Sequence, residues 1–257
     1  MPDSAAGSSR LTLLGSEREV SDGELAQLYG YPAQHDGSWL RANFITSVDG
    51  GATVDGTSGA MGDAGDRLIF NTLRGLADVI LVGAGTVRSE GYSGAHLGVV
   101  ERQQRQARHQ REVPPLAIVT KSGRLDRDLP IFSRTEVAPL VLTCTAALDE
   151  TRRRLGPSAE TIDCSGDDPA RVDERLVLSH LEARGLRRVL TEGGPMLLGA
   201  LIERDLLDEL CLTVAPCVVG GRSRRIATGP AQLMTRLRCA HVLTNDAGYL
   251  YTRYIKA

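Results

Sequence analysis

The stretch from Leu186 to Leu198, with the sequence LRRVLTEGGPMLL, predicts a β-strand that runs through a glycine turn into an α-helix. The strand is indicated by the short apolar run before Thr191. The helix is expected to begin at Pro195, because proline is favoured in the first helical turn, where its missing N–H costs nothing. Leucine and isoleucine then recur at helical spacing. Two glycines therefore lie where a strand becomes a helix.

The glycine pair, Gly193 and Gly194, predicts an anion-binding turn. Backbone N–H groups at such a junction point outward, and the helix dipole favours an anion there. Glycine also removes the side chain that would keep a phosphate away. Glu192 does not fit this role, because a carboxylate repels a phosphate, so we expect it to face a second ligand that offers N–H donors. The alternative is a plain strand–helix turn whose glycines only ease close packing.

Composition excludes several classes of protein. The chain has 257 residues, 42% of them hydrophobic, with a net charge of −2, which gives no indication of a nucleic-acid partner. No apolar run approaches the roughly 20 residues needed to cross a membrane, and the first ten residues hold no apolar signal core, so we expect a cytoplasmic protein without a membrane partner. The five cysteines form no C-x-x-C pair, and no metal site is predicted. The Gln- and Arg-rich segment 101–111 is interpreted as a solvated helix or a mobile loop.

The order of the predicted elements indicates the fold class. Residues 1–20 are expected to be a flexible lead-in, and residues 21–257 a single domain. Strands alternate with helices, and two strands close the chain around residues 245–248. This order predicts an α/β fold with a mostly parallel central sheet, flanking helices and antiparallel C-terminal strands. The strand over residues 77–82 also opens into a glycine turn, although it lacks the spacing of a full dinucleotide fingerprint.

Other reaction types find little support in the motifs. The chain has no Gly-x-Ser-x-Gly elbow and no P-loop, and its five histidines show no metal-binding spacing. What remains is a set of glycine turns at strand ends, with Asp49 and Glu192 beside two of them. This pattern is typical of an enzyme that uses a nucleotide cofactor. Hydride transfer suits it, because the cofactor then carries the difficult chemistry and few reactive side chains are needed.

With these features together, the chain resembles the pyrimidine reductases of riboflavin biosynthesis, which in many bacteria form the C-terminal half of a bifunctional deaminase–reductase. The resemblance runs from about Trp39 to Ile255. It rests on four stretches in the right order: NFITSVDG at 43–50, ADVILVGAGTV at 77–87, TEGGP at 191–195, and Pro216 with Gly220-Gly221. The fold of that family is like dihydrofolate reductase, so the resemblance implies a dihydrofolate-reductase-like fold.

The resemblance implies NADPH as cofactor and a hydride transfer to the ribosyl group of 5-amino-6-ribosylaminopyrimidinedione 5′-phosphate. A hydroxyl and a cation at residues 120–122 would suit the ribose 2′-phosphate of NADPH. The cofactor-binding residues that it implies are Gly83, Gly85, Thr86, Glu90, Thr120, Lys121, Ser122, Gly193, Gly194, Pro195, Met196, Leu197 and Leu198.

The resemblance also implies the residues around the substrate. The substrate-binding candidates are Asn43, Ser58, Arg74 and Glu192, and the catalytic candidates are Glu192, Asn43 and Asp49. Glu192 would accept hydrogen bonds from the pyrimidine ring, and Ser58 with Arg74 would bind the substrate phosphate. We expect Asp49 to brace its turn through backbone hydrogen bonds rather than to donate a proton. No side chain is assigned as proton donor.

Two departures from the family pattern affect the substrate half. After Thr86 the family carries two acids and then a proline, whereas this chain has Glu90-Gly91-Tyr92-Ser93-Gly94. The position of the family's phosphate-binding arginine is taken by Leu97. The zinc deaminase motifs of the bifunctional enzymes are not present in this sequence.

Two alternatives therefore stay open. The first is a reductase of another heterocycle such as dihydrofolate, in which Arg74 would meet a glutamate carboxylate. The second is an NADP-binding protein without turnover, although such a protein would have no need of Glu192. The resemblance further implies a homodimer that acts on a small-molecule substrate.

Overall fold

A sheet of eleven strands forms the centre of the computed structural model, which describes residues 11–13, 15 and 18–257. The strands of this described part are β1 (Leu11–Leu13), β2 (Arg18–Val20), β3 (Trp39–Ser47), β4 (Val79–Gly83), β5 (Leu116–Val119), β6 (Leu140–Thr143), β7 (Glu160–Asp163), β8 (Arg188–Thr191), β9 (Glu209–Ala215), β10 (Leu237–Thr244) and β11 (Leu250–Lys256). Their order across the sheet is β2-β1-β10-β11-β9-β3-β8-β4-β5-β6-β7.

The direction of the strands divides the sheet into two parts. The run from β9 through β3, β8, β4, β5 and β6 to β7 is parallel throughout. The C-terminal strands β10 and β11 pair antiparallel with each other, and β11 pairs antiparallel with β9. The predicted α/β fold, with its mostly parallel sheet and antiparallel C-terminal strands, is therefore confirmed.

Helices cover both faces of the sheet. The described residues form α1 (Asp22–Leu28), α2 (Ala64–Leu76), α3 (Ala84–Ser89), α4 (Val99–Ala107), α5 (Pro130–Ser133), α6 (Thr145–Leu155), α7 (Glu174–Glu182) and α8 (Pro195–Glu203). On one face, Ile69 and Leu73 of α2 pack in a core cluster with Leu190 of β8. On the other face, Leu197 and Leu201 of α8 pack against the alternate residues of the same strands. No helix among the described residues is both long and apolar enough to cross a membrane.

The segment before α1 requires a correction. Residues 11–13 and 18–20 form strands, although the sequence predicts a flexible lead-in over residues 1–20. Leu11 is only 2% exposed and packs in the main core, and β1 pairs with the outer edge of β10. Core burial and pairing with an otherwise open sheet edge explain why these short strands form. Residues 1–10 lie outside the described residues.

A buried ionic cluster joins the end of α1 to the sheet. The Glu209 carboxylate is fully buried and accepts hydrogen bonds from Arg41, Arg253 and the Trp39 indole. Arg253 also donates to the carbonyl oxygen of Gly30, just beyond α1. Because the buried Glu209 carboxylate is paired with both Arg41 and Arg253, the cluster can persist in the core.

The arginine-rich helix α4 differs from a fully solvated one. Arg105 is completely buried, and its guanidinium donates to the carbonyl oxygens of Gly75 and Ala77 at 3.0 and 2.6 Å. These carbonyls belong to the C-terminal end of α2, where the last turn of a helix leaves acceptors unsatisfied. Segment 101–111 is therefore partly helical, as one of the two interpretations proposed, but one of its arginines is structural.

Candidate active site

The candidate site lies where three adjacent parallel strands end. Ala42 of β3 and Leu81 of β4 both pair with Thr191, the last residue of β8. Asn43 and Glu192, one residue further along their strands, therefore lie at the same level of the sheet. Ligands of open α/β sheets bind at this carboxyl edge.

Glu192 is held by two side chains that reach it from different elements. The guanidinium of Arg74, in the last turn of α2, donates from Nε to Oε1 and from Nη2 to Oε2, both at 2.7 Å. The hydroxyl of Tyr92 donates to Oε2 at 2.7 Å. The side chains of Glu192 and Arg74 are 2% and 14% exposed. The carboxylate thus lies fixed in a nearly dry pocket, with a matched cation beside it.

The surroundings of Tyr92 and Arg74 stabilise this arrangement. Burial, together with the Glu192 carboxylate, raises the pKa of Tyr92 well above its ordinary value, so the phenol remains a donor at neutral pH. The guanidinium of Arg74 also lies 4.2 Å above the centre of the Phe70 ring, a cation–π distance. Arg74, which the resemblance places at the substrate phosphate, is thus directed at Glu192 in this structure.

The glycine turn brings β4, β8 and two helix starts together. The N–H of Gly83 donates to the carbonyl oxygen of Gly193 at 2.6 Å, and a cis peptide bond links Gly193 to Gly194. A Cβ on Gly83 would lie 3.3 Å from the Gly194 nitrogen, and a Cβ on Gly194 would lie 2.6 Å from Oγ1 of Thr86. Close packing therefore favours a residue without a Cβ at both positions. The predicted helix start at Pro195 is confirmed.

Other predicted cofactor residues differ in how far they are accessible. Met196 is 77% exposed, whereas Leu197 and Leu198 are buried beneath α8, so their side chains serve the core. The buried hydroxyl of Thr120 accepts a hydrogen bond from the Gly123 N–H at 3.1 Å and stabilises the turn after β5. Lys121 and Ser122 in that turn are exposed, and a ligand can reach them.

Asp49 joins two loops beside the site. Its carboxylate accepts hydrogen bonds from Ser47 Oγ at 2.5 Å and from the N–H groups of Val219 and Gly220 at 3.1 and 2.7 Å. These hydrogen bonds, the one from Ser47 above all, lower the pKa of Asp49 to about 2. Asp49 is therefore ionised at neutral pH and holds the turn after β3 against the loop after β9.

The remaining predicted residues lie around the mouth of the site. The N–H of Ser58 donates to Oε1 of Glu90 at 2.9 Å, so Glu90 is engaged with the segment predicted to hold the substrate. Asn43 is half-buried, and its side-chain amide makes no hydrogen bond within the described residues. That amide is thus available to a ligand at the level of Glu192. The same part of the chain contains no group of three His, Cys, Asp or Glu side chains arranged to hold a metal ion.

Residues 38–251 match the family model described as the RibD C-terminal domain. This chain belongs to the RibD C-terminal domain family. A 2,5-diamino-6-ribosylamino-4(3H)-pyrimidinone 5′-phosphate reductase of Archaeoglobus fulgidus is 28% identical over 192 residues, which cover 73% of this chain and 84% of the relative. A protein with the same name from Methanothermobacter thermautotrophicus is 29% identical over 71% of this chain and 80% of the relative.

The fold of this RibD C-terminal domain is also similar to solved structures. The structure of a pyrimidine reductase-like protein from Corynebacterium diphtheriae superimposes with a TM-score of 0.77 at 29% identity. The match covers 91% of this chain and 98% of that chain.

Two residues of this RibD C-terminal domain site were missed by the sequence analysis. One is Tyr92, which lies in the segment that departs from the family pattern. The other is Asp66, which lies near Thr213 and whose pKa is raised by burial. Asp66 lies four residues before Phe70 and eight before Arg74, and this spacing places all three on one face of α2. The helical spacing is the signal that could have identified Asp66.

Proposed function

We propose that this chain is a reductase that uses NADPH to reduce the ribosyl group of a ribosylaminopyrimidine 5′-phosphate. The single observation that carries the proposal is the buried Glu192 carboxylate, fixed by Arg74 and Tyr92 directly beside the Gly193-Gly194 turn. A fixed acceptor beside an anion-binding turn suits a ligand pair made of a nucleotide and a heterocycle with N–H donors. Membership of the RibD C-terminal domain family supports the same assignment.

The substrate's pyrimidine ring could carry either of two sets of substituents. The resemblance implies the dione, 5-amino-6-ribosylaminopyrimidinedione 5′-phosphate, whereas the archaeal relatives are named for the 2,5-diamino-pyrimidinone. Both rings offer N–H donors to a carboxylate acceptor such as Glu192. We propose the dione as the substrate and treat the diamino compound as its direct competitor in the assay.

The residues at the glycine turn fit a nucleotide cofactor. Gly193 and Gly194 leave only backbone at the start of α8, and Gly83 does the same at the start of α3, and the helix dipole favours a phosphate at such helix starts. No atom lies within 4 Å of a Cβ built on Gly85, so there is open space beside the described residues of α3. Lys121 and Ser122 would meet the 2′-phosphate that distinguishes NADPH from NADH. When bound, NADPH supplies the hydride.

The chain's own side chains would bind and orient the substrate. Glu192 would accept hydrogen bonds from the pyrimidine ring, while Arg74 and Tyr92 keep its carboxylate in one orientation, which reduces the reorganisation needed on binding. Asn43 would present its amide to the same ligand. Ser58 would contact the substrate phosphate. Asp49 would hold the adjoining loops in place, because its low pKa makes it unsuited to donate a proton.

A second candidate function, the reduction of dihydrofolate, is favoured by one observation. Asp66 is a half-buried carboxyl on the site-facing stripe of α2, and it lies beside Thr213 of β9. It offers a second acidic group to a heterocycle that carries no sugar phosphate. The Asp66→Asn variant separates the two candidates. It should leave pyrimidine reduction within a few-fold, whereas dihydrofolate reduction should fall by about a hundredfold if Asp66 holds that ring.

The testing experiment measures NADPH oxidation by the purified protein with the dione, the diamino-pyrimidinone and dihydrofolate in parallel. Glu192→Gln, which should lower kcat/KM by about a hundredfold, serves as the impaired control. Turnover of either pyrimidine, lost in the variant, supports the proposal, and the ratio of kcat/KM values decides between the two rings. Turnover of dihydrofolate alone supports the second candidate. If none of the three is reduced with NADPH or NADH, both candidates are wrong. Light scattering on the same sample tests the homodimer that the resemblance implies.

A further inference from the structure

A cavity of about 530 Å³ opens at the edge of the sheet opposite the candidate active site. Asp78 directly precedes β4 and Arg188 is the first residue of β8, and both line the cavity, whereas Glu192 follows the last residue of β8. The four residues of β8 span roughly 13 Å, so the two sites are separated by the length of a strand. The cavity is thus distinct from the site proposed for reduction.

The charged residues around this cavity are mostly cations. Arg108, Arg187 and Arg188 line it, and Asp78 is the one carboxylate among the lining residues. Arg188 forms an ion pair with that carboxylate, with Nη2 2.8 Å from Oδ1 of Asp78. Within the described residues, the Arg187 side chain makes a single ion pair, with Glu182 at 3.3 Å. The cavity therefore carries an excess of positive charge.

The arginines keep hydrogen-bond donors that the protein does not use. Arg108 donates from Nε to Gln110 and from Nη2 to the carbonyl oxygen of Gly75, both at 2.9 Å. Its Nη1, and the Nη1 of Arg188, donate no hydrogen bond within the described residues. A guanidinium with free donors at a cavity wall is suited to a carboxylate or a phosphate oxygen.

Burial, and then repulsion between neighbouring cations, disfavours the charged form of two arginines near this cavity. Arg105 is buried behind the cavity, and its burial together with the nearby Arg108 and Arg188 lowers its pKa to about 10. Burial and the charge of Arg188 also lower the pKa of Arg108. Both shifts mean that the charged forms are disfavoured where they stand. An anion in the cavity would relieve this repulsion.

Apart from Gln27 and His35, the rest of the wall is formed by glycines and by residues with apolar or aromatic side chains. Leu76 at the end of α2 and Ala26 of α1 line the cavity together with Tyr31, Pro32 and Ala33 of the following loop. A volume of about 530 Å³ lies within the range of small-molecule sites, which combine an apolar lining with a few polar anchors. The lining thus suits an anion with an apolar body better than a bare inorganic ion.

We propose that this cavity is a second binding site, which takes a small organic anion. Its phosphate or carboxylate group binds to Arg108, Arg187 and Arg188, and its apolar part lies against Leu76 and Tyr31. The cavity has no part in the proposed reduction, so anion binding can be tested independently of that function.

The test is calorimetric titration of the full chain with phenyl phosphate, benzoate, inorganic phosphate and the uncharged benzyl alcohol at low ionic strength. Phenyl phosphate or benzoate should bind, and benzyl alcohol should not. The Arg108→Gln/Arg187→Gln double variant should weaken binding by roughly tenfold or more, and added salt should weaken binding to the native chain. Arg153→Gln, which changes an exposed arginine of α6, is the matched control and should bind as the native chain does.

The single variant Arg187→Gln serves as a second test in case the double variant does not fold. It should fold normally, because Arg187 is more than half exposed and makes one weak ion pair. It should keep the native melting temperature and weaken binding by roughly threefold. Tighter binding of phenyl phosphate identifies a phosphate site, and tighter binding of benzoate identifies a carboxylate site. The proposal is wrong if no anion binds at millimolar concentration, or if the double variant binds as tightly as the Arg153→Gln control.

Discussion

Arg74 and Glu192 are 118 residues apart in the sequence, yet the guanidinium of Arg74 binds both oxygens of the Glu192 carboxylate at 2.7 Å. This pair connects the last turn of α2 to the end of β8. Both side chains are largely buried, so each charge depends on the other for compensation. The pair therefore has two consequences, one for the stability of the fold and one for the orientation of a ligand at Glu192.

Replacing Glu192 with Gln should impair both stability and reduction. The variant leaves Arg74 without its counter-ion in a buried position, and loss of one partner of a buried pair costs about 3–5 kcal/mol. The free energy of unfolding should fall by up to that amount in urea titrations, and kcat/KM should fall by about a hundredfold. Glu150→Gln, at an exposed position on α6, is the control and should change neither quantity. Native activity in the Glu192→Gln variant would contradict the proposed role of this carboxylate.

Replacing Tyr92 with Phe should remove one hydrogen bond and keep the packing of the ring. Because the hydroxyl donates to a charged acceptor, we expect a loss of about 1.5–3 kcal/mol in the free energy of unfolding. The KM for the substrate should rise by about tenfold, while the Kd for NADPH stays unchanged, because the Tyr92 hydroxyl donates to Glu192. Tyr254→Phe is the matched control, since the Tyr254 hydroxyl makes no hydrogen bond in the described part of the chain. An equal change in the Kd for NADPH would show that Tyr92 acts on the whole site and not on Glu192.

The strand–turn–helix at the start of the candidate site could be predicted from sequence because its signals are local. The apolar run before Thr191, the two glycines and Pro195 each favour a particular backbone conformation at their own position. In the structure, β8 ends at Thr191 and α8 begins at Pro195, as these signals predict. The alternation of strands and helices likewise predicted the parallel sheet.

The partners of Glu192 could not be predicted in the same way. The contact with Arg74 depends on how α2 lies across β8, and the contact with Tyr92 depends on the path of the chain after α3. The spacing of residues in the sequence predicts neither contact. The burial of Arg105 has a similar cause, because the carbonyls that it caps belong to α2 and come close only in the folded chain. Long-range packing thus decided what the sequence pattern left open.

Acid should weaken the contribution of Asp49 to stability over a defined pH range. The pKa of Asp49 is lowered from 3.8 to about 2 in the folded chain, chiefly by the hydrogen bond from Ser47. A lowered folded-state pKa means that the stabilisation is fully present above pH 3.8 and is lost as the pH falls towards 2. Melting temperatures of the native chain and of Asp49→Asn should therefore differ at pH 6 and converge as the pH falls through this range, while the pH profile of kcat near neutrality stays the same in both. A constant difference down to pH 2 would show that Asp49 is not the titrating group.

The glycine turn allows a matched pair of substitutions that separates packing from cofactor binding. At Gly194 an alanine Cβ would lie 2.6 Å from Oγ1 of Thr86, so Gly194→Ala should lower the melting temperature, and adding Thr86→Ala should restore part of the loss because it removes that oxygen. At Gly85 nothing in the described chain lies within 4 Å of the new Cβ, so Gly85→Ala should leave the fold as stable as before or slightly more stable.

If a nucleotide occupies the space beside α3, however, Gly85→Ala should raise the Kd for NADPH, measured by fluorescence titration, by about tenfold with no change in melting temperature. Loss of binding without loss of stability would indicate that the open space at Gly85 belongs to the cofactor. If NADPH binds Gly85→Ala and the native chain equally well, the cofactor does not approach α3 there, and the proposed binding residues must be restricted to the start of α8 and the turn after β5.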